Sequence, residues 1–278
     1  MAASMIQRPI PRTGELLPVI GLGTWQTFDV GRTQSAREPL RAVLGGFVRL
    51  EGKVIDSSPM YGNSEGVVGD LAAELGIQKQ LFLATKVWTS GRDAGIQQME
   101  ESFRRLRTRM MDLMQVHNLV DWRTHLNTLR RWKEQGKIRY VGVTHYTASA
   151  YDQLARVLET EDLDFVQLNY SIAERDAERR LLPLAADKRV AVLVNRPFAA
   201  GGLFSKLRGK PLPPWAQEID CVSWAQFLLK FVISHHAVTC AIPATSKVDH
   251  LTDNMGAGIG NLPDAGMRER MARYVAEL

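Results

Sequence analysis

Eight short apolar runs, most of them rich in β-branched residues, alternate along this chain with longer segments of helical periodicity. The runs are residues 19–22, 53–56, 81–86, 112–117, 139–143, 164–169, 190–194 and 238–242. Most of them start roughly 25 to 35 residues after the previous run, which is the spacing of a strand and its crossover helix in a parallel barrel. We therefore predict an α/β fold, a (β/α)8 TIM barrel, with an open doubly wound sheet as the structural alternative.

Other patterns predict what surrounds these strands. Residues 5–11 and 16–18 flank an Arg-Thr-Gly-Glu turn and predict an N-terminal β-hairpin that plugs one barrel end. The connection 199–215 is rich in glycine, proline and lysine and predicts a functional loop over the site. We expect one domain over residues 1–278. The amphipathic stretches that predict covering helices are residues 64–75, 94–106, 122–135, 148–158 and 177–186.

Composition and charge limit the functions to consider. The formal net charge is +5, but the basic runs lie on helical patterns without interleaved aromatic residues, so we expect no nucleic-acid partner. The chain lacks an apolar run of about eighteen residues, and residues 1–5 lack the pattern of an export signal. We therefore expect no membrane partner and no export, and because two cysteines are too few for a disulfide framework we expect a cytoplasmic location. The two cysteines, Cys221 and Cys240, and the pair His235-His236 lack zinc-site spacing, and we expect no metal.

Four polar residues fall at or just after the carboxyl ends of consecutive predicted strands: Asp56, Tyr61, Lys86 and His117. In a parallel barrel these ends form one rim, where the reacting groups collect. A tyrosine hydroxyl, with a pKa of about 10, needs a neighbour that stabilises the phenolate, and Lys86 can do so if Asp56 keeps it charged. His117 can donate a hydrogen bond to a carbonyl oxygen as negative charge develops there. The four residues predict an acid beside an oxyanion site.

Seven segments resemble the aldo-keto reductase family in content, order and spacing, nearly from end to end of the chain. They are GLGTW at 21–25, IDSSPMYG at 55–62, ATKVW at 84–88, MQVH at 114–117, IRYVGVT at 138–144, FVQLNY at 165–170 and IPATSK at 242–247. This resemblance implies an enzyme that reduces aldehydes or ketones with NADPH. It implies that Tyr61 is the general acid, that Lys86 and Asp56 tune it, and that His117 orients the carbonyl.

The resemblance also implies a nicotinamide cofactor extended across the barrel rim without a glycine-rich Rossmann turn. The matching positions near the nicotinamide are Gly23, Thr24, Asp56, Thr144, His145 and Gln167. Those after the seventh strand are Asn195, Arg196, Pro197, Phe198, Ala199, Gly201 and Leu203. Those at the adenosine end are Thr245, Ser246, Lys247, His250, Asp253 and Asn254. A helix starting near Lys247 would offer free backbone N–H groups and a charge to a 2′-phosphate, which favours NADPH over NADH.

The chain departs from the family's pattern at several of these positions. Thr144-His145 replaces a Ser-Asn pair, and Asn195-Arg196 replaces a Tyr-Ser pair whose ring stacks on the nicotinamide. His250 stands where an arginine often meets the 2′-phosphate, which weakens the preference for NADPH without reversing it. Asn118 stands where better-known members carry tryptophan. The group that stacks on the nicotinamide is therefore undetermined from the sequence.

The substrate pocket and the function class leave alternatives open. Trp25, Trp88 and Phe28 are candidates for an aromatic wall, Asn118 is a further candidate contact, and short loops predict an open pocket for diverse carbonyl compounds. One alternative function is a non-catalytic nucleotide-sensing subunit, as the family resemblance also covers potassium-channel β subunits. A third class of function, after the reductase and the binding subunit, is a Schiff-base aldolase with Lys86 as the nucleophile. Asp56 disfavours this function because it keeps the amine of Lys86 protonated.

Overall fold

A two-stranded antiparallel hairpin opens the computed structural model, which describes residues 4–278. Its strands are β1 (Gln7–Pro9) and β2 (Leu16–Pro18), and Gly14 takes a positive φ of 77° in the turn between them. Ile10 and Leu17 are buried among the residues that fill the barrel interior, Tyr140 and Phe165 among them. The hairpin therefore plugs the amino-terminal end of the barrel, as predicted.

Eight parallel strands follow, and each pairs with its neighbour in sequence. They are β3 (Leu22–Gly23), β4 (Val54–Asp56), β5 (Phe82–Val87), β6 (Met111–His117), β7 (Ile138–Thr144), β8 (Phe165–Asn169), β9 (Ala191–Asn195) and β10 (Val238–Ala241). A doubly wound sheet would reverse its strand order at a switch point, and this sheet does not. The (β/α)8 barrel is therefore confirmed and the open-sheet alternative is wrong.

The barrel closes where β3 meets β10, through single parallel bridges at Ile20–Ala241 and Gly23–Ala244. The predicted first strand, 19–22, is shortened in the structure because its first residues pair only through this seam. A Cβ at Gly23 would lie 2.8 Å from the carbonyl oxygen of Ile242, so only glycine permits this approach of the two backbones.

Ten α-helices accompany the strands within residues 4–278. They are α1 (Gln34–Arg49), α2 (Ser64–Leu75), α3 (Arg92–Arg105), α4 (Trp122–Glu134), α5 (Tyr151–Thr160), α6 (Leu181–Asp187), α7 (Gly202–Leu207), α8 (Trp224–Ile233), α9 (Val248–Gly256) and α10 (Ala265–Glu277). The helix predicted at 177–186 begins later, at Leu181, because residues 176–178 form a separate 3₁₀ turn. Helix α1 buries Leu40, Val43 and Leu44 despite an internal Pro39.

The connection 199–215 is more ordered than the sequence suggests. It contains a 3₁₀ turn at Ala199–Gly201, helix α7, and the start of a second 3₁₀ helix at Pro214–Ile219. Leu203 and Leu207, four residues apart, anchor α7 in the core. This apolar pair is too short to produce a helical period in the sequence.

None of the helices in the described part of the chain is long and apolar enough to cross a bilayer. Residues 1–3 lie outside the described residues. The predicted domain 1–278 and the segment 1–5, in which no export signal is expected, both include them.

Candidate active site

The carboxyl ends of β4, β5 and β6 bring together the four residues singled out in the sequence. Asp56 is the last residue of β4, Lys86 is next to last in β5, and His117 is the last of β6. Tyr61 lies on the turn that follows β4. Its ring centre lies 5.1 Å from Lys86 Nζ, and the His117 ring meets it edge-on at 5.8 Å between centroids. The structure thus places all four side chains in one cluster.

The turn that carries Tyr61 is held from both sides. The backbone N–H of Ser57 donates to the carbonyl of Ala84 at 2.9 Å, and that of Tyr61 donates to Ser58 at 2.9 Å. On the far side, Asp29 Oδ1 accepts hydrogen bonds from the backbone N–H of Asn63 at 2.8 Å and from Nδ2 of the same residue at 3.1 Å. The phenol is therefore presented by a constrained backbone.

A buried ion pair lies beneath the phenol. Lys86 Nζ donates to Asp56 Oδ2 at 2.7 Å and to the carbonyl oxygen of Ser57 at 2.6 Å, and both charged side chains are almost completely buried. Burial alone would lower the pKa of the Lys86 ammonium, but the charge of Asp56 opposes this and the pKa is raised. Gln115 Nε2 donates to the other Asp56 oxygen at 3.3 Å. Lys86 is therefore a fixed cation at neutral pH.

The two groups above this pair are both neutral at neutral pH. Burial raises the pKa of the Tyr61 phenol; Lys86 lowers it and Asp56 raises it further, and the net direction is upward. Burial lowers the pKa of His117 to about 2, and the positive charges of Lys86 and His145 act in the same direction. The cluster therefore presents a protonated phenol and an uncharged imidazole to any molecule bound above them.

A cleft of about 660 Å³ lies over these groups at the barrel rim. The predicted site residues that line it are Gly23, Thr24, Trp25, Asp56, Tyr61, His117, Asn118, Thr144, Gln167, Asn195, Arg196, Pro197, Phe198 and Gly201. A cleft that contains a proton donor and a neutral imidazole next to a fixed cation can accept a carbonyl oxygen and stabilise charge on it.

Comparison with known proteins identifies the family. Residues 19–270 match the model described as the aldo/keto reductase family. The chain belongs to this family. It is 31% identical over 258 residues to methylglyoxal reductase YeaE of Escherichia coli, covering 90% of this chain and 89% of that protein. It is 25% identical over 248 residues to methylglyoxal reductase DkgB of Yersinia pestis, covering 86% of each. The prediction of an aldo-keto reductase enzyme is thereby confirmed, and carbonyl reduction is the general activity that the family supports.

A solved structure agrees with the fold of this aldo/keto reductase. The crystal structure of an aldo-keto reductase from Klebsiella pneumoniae in complex with NADPH is similar with a TM-score of 0.79 and 25% sequence identity. The match covers 99% of this chain and 96% of that one. The similarity therefore extends over the barrel, the hairpin and the connections at the rim.

Some predicted site residues of this aldo/keto reductase are not among those that line the cleft. Lys86 is beneath it, Leu203 is in the core, and Trp88 is exposed with its ring 6.4 Å from that of His117. Phe28 is completely buried, so its assignment to an aromatic wall is wrong. Its backbone N–H donates to Thr24 in a turn that carries the ring into the core. The others outside the lining are His145, Ala199, Thr245, Ser246, Lys247, His250, Asp253 and Asn254.

The segment predicted for the adenosine end lies at the start of α9. This helix begins near Lys247, as predicted: Lys247 is its N-cap residue, and the backbone N–H of Lys247 donates to Thr245 Oγ1 at 3.1 Å. Ser246, Lys247 and His250 are exposed. Asp253 accepts hydrogen bonds from Ser223 Oγ at 2.8 Å and Gln226 Nε2 at 2.9 Å, so it also supports the start of α8. Lys247 and His250 are therefore accessible from solvent, whereas Asp253 already has structural partners.

The place of the expected stacking tyrosine is taken by Asn195, and the sequence did not reveal what surrounds it. Arg196 Nη1 donates to the carbonyl of Tyr146 at 3.2 Å, and its guanidinium lies 5.8 Å from that ring. The Tyr146 ring in turn stacks on His145 at 5.6 Å. Further lining residues that the sequence did not indicate are Gln26, Thr27, Met60, Tyr146, Ala200, Phe204, Ile242, Pro243 and Ala244. Tyr146 could have been found, because it lies two residues beyond the end of β7.

Proposed function

We propose that this aldo/keto reductase reduces aldehydes or ketones to alcohols, with NADPH as the hydride donor and Tyr61 as the proton donor. The observation that carries the proposal is the convergence of a protonated phenol, a fixed ammonium and a neutral imidazole beneath one cleft. Each of these groups has a task in adding a hydride and a proton across a C=O bond.

The polar groups of the cleft suit a nicotinamide cofactor. Gln167 Oε1 and Asn195 Oδ1 are buried and have no hydrogen-bond partner within residues 4–278. Two such acceptors fit the NH₂ of a carboxamide, and bringing a donor to them removes the cost of leaving them unpaired. At the other end of the rim, Ser246, Lys247 and the start of α9 would hold a 2′-phosphate. The Klebsiella pneumoniae relative, solved with NADPH, supports the same assignment.

The chemistry divides between the cofactor and this chain's own residues. NADPH, when bound, supplies the hydride that adds to the carbonyl carbon. Tyr61 donates its proton to the carbonyl oxygen, and the Lys86 ammonium stabilises the phenolate that remains. Asp56 keeps Lys86 protonated, which also makes the amine a poor nucleophile for Schiff-base chemistry. His117 holds the carbonyl oxygen through an N–H donor, and the phenolate recovers a proton from water before the next turnover.

Methylglyoxal is the first substrate to test, since two relatives that match most of the chain are named methylglyoxal reductases. The rim offers apolar contacts as well: Trp25 and Met60 line the cleft and are 46% and 42% exposed. We therefore propose that larger apolar aldehydes are accepted alongside methylglyoxal.

The test follows NADPH oxidation with methylglyoxal and a panel of larger aldehydes. Tyr61→Phe removes only the hydroxyl, and we expect kcat to fall by about 10² to 10⁴, the usual contribution of a general acid. Tyr274→Phe is the matched control, because this tyrosine packs on Trp215 and Trp224 outside the barrel. Tight NADPH binding without turnover of any carbonyl would instead favour a nucleotide-sensing subunit. Equal activity in Tyr61→Phe and wild type would remove Tyr61 as the acid.

A further inference from the structure

Ser58 lies behind His117, where the mechanism above gives it no role. It is completely buried, two residues beyond the end of β4, and its Oγ lies 3.0 Å from Nδ1 of His117. The same oxygen accepts a hydrogen bond from the backbone N–H of Met60 at 3.2 Å. We propose that Ser58 is a positioning residue that decides which ring nitrogen of His117 carries the proton. The consequence for rate rests on the proposed function.

The direction of the Ser58–His117 hydrogen bond follows from counting protons. A serine hydroxyl has one proton to donate and lone pairs to accept with. The Met60 N–H can only donate, so it occupies a lone pair on the hydroxyl oxygen. Within residues 4–278, His117 Nδ1 is the one acceptor within hydrogen-bond distance of this hydroxyl. A buried O–H without an acceptor is unfavourable, so the Ser58 proton points to Nδ1.

This direction determines the tautomer of His117. The imidazole is neutral, because burial foremost and then the charges of Lys86 and His145 lower its pKa to about 2. A neutral imidazole carries one N–H, and an Nδ1 that accepts from Ser58 leaves the proton on Nε2. Nε2–H is then the donor that His117 offers to a carbonyl oxygen. With the other tautomer, Nε2 would present a lone pair to the lone pairs of the carbonyl, and the Ser58 proton would have no acceptor.

The first experiment observes the tautomer directly, without any substrate. Protein labelled with ¹⁵N-histidine gives long-range ¹H–¹⁵N correlations that distinguish Nε2–H from Nδ1–H. The chain has six histidines, and His117→Gln identifies the signals of interest. We expect wild-type His117 to be Nε2–H at neutral pH, and we expect Ser58→Ala to show both tautomers. Ser57→Ala is the matched control: it removes the neighbouring hydroxyl, which bonds to Thr24 and not to His117, and should leave the tautomer unchanged.

The second experiment connects the tautomer to rate. Ser58→Ala should lower kcat for methylglyoxal by about tenfold, less than the roughly 100-fold or more expected when an oxyanion donor is removed entirely. The Kd for NADPH should not change, and Ser58→Thr, which keeps a hydroxyl, should recover most of the lost kcat. A wild-type spectrum with Nδ1–H would overturn the proposal even if Ser58→Ala failed to fold. Absence of NADPH-dependent turnover in wild type would instead refute the proposed function, while the spectrum still tests the role of Ser58.

Discussion

Removing one partner of the buried Lys86–Asp56 pair should cost more stability than removing both. Both side chains are at most 3% exposed, so Asp56→Asn would leave an ammonium inside the protein without its counter-ion. Breaking such a pair typically costs about 3–5 kcal/mol. The Ser57 carbonyl still accepts from Nζ at 2.6 Å and offsets part of this loss. We therefore expect Asp56→Asn to lower the free energy of unfolding by about 3 kcal/mol at neutral pH.

The dependence on pH follows from the direction of each pKa shift. In the wild type the pKa of Lys86 is raised above 10.5, so the stability from the pair is complete below that pH and is lost only as pH rises through the folded value. In Asp56→Asn the main charge that opposes burial is removed, so burial lowers the pKa of Lys86 and folding becomes more favourable as pH rises towards about 10.5. The difference in the free energy of unfolding between the wild type and Asp56→Asn should therefore become smaller in alkaline solution.

Urea unfolding at neutral pH and at about pH 9.5 measures both effects. The control is the double variant Asp56→Asn/Lys86→Met, which removes both charges and should recover much of the lost stability. The reasoning is refuted if Asp56→Asn is as stable as the wild type at neutral pH, or if the double variant is no more stable than the single one.

Two further predictions concern His117 and the packing of α2. Because burial lowers the pKa of His117 to about 2, kcat/KM for reduction should show no histidine inflection between about pH 5 and 8. A pH profile with an inflection near the ordinary value of 6.5 that disappears in His117→Gln would contradict this. In α2, a Cβ at Gly69 would lie 2.0 Å from the carbonyl oxygen of Arg105, so Gly69→Ala should destabilise the protein by about 1–3 kcal/mol or more. Gly66, in the same helix, has open space around it, so Gly66→Ala should stabilise the protein by about 0.5–1 kcal/mol. Thermal melts in which Gly69→Ala is more stable than Gly66→Ala would show that the contact between α2 and α3 is not as tight as described.

The sequence allowed the barrel and the four clustered residues to be predicted for the same physical reason. Asp56 and His117 are the last residues of mainly apolar strands and Lys86 is next to last in its strand, and the parallel arrangement brings these ends to one rim. Local pattern and fold thus support each other at these positions. The predictions of strand length and of the start of α6 were less accurate, because strand pairing and 3₁₀ turns at the ends of these elements depend on neighbours distant in sequence.

The parts of the site that escaped prediction depend on contacts between distant segments. Arg196 reaches Tyr146 across fifty residues of sequence, and neither residue type indicates the other. Phe28 was a candidate for the aromatic wall together with Trp25, but after the turn at Thr24 the ring of Phe28 is buried and that of Trp25 is exposed. The hydrogen bond between Ser58 and His117 could not be predicted from the sequence either, since a serine in a turn has many local partners.

The seam between β3 and β10 has a consequence for how the protein acquires its activity during synthesis. Gly23 and Ala244, which meet there, also line the cleft. A nascent chain therefore cannot assemble the rim until its tenth strand has left the ribosome. Until then β3 and β9 are unpaired sheet edges that can recruit another chain. Pairing of that last strand with β3 and β9 completes the cleft and covers both exposed edges.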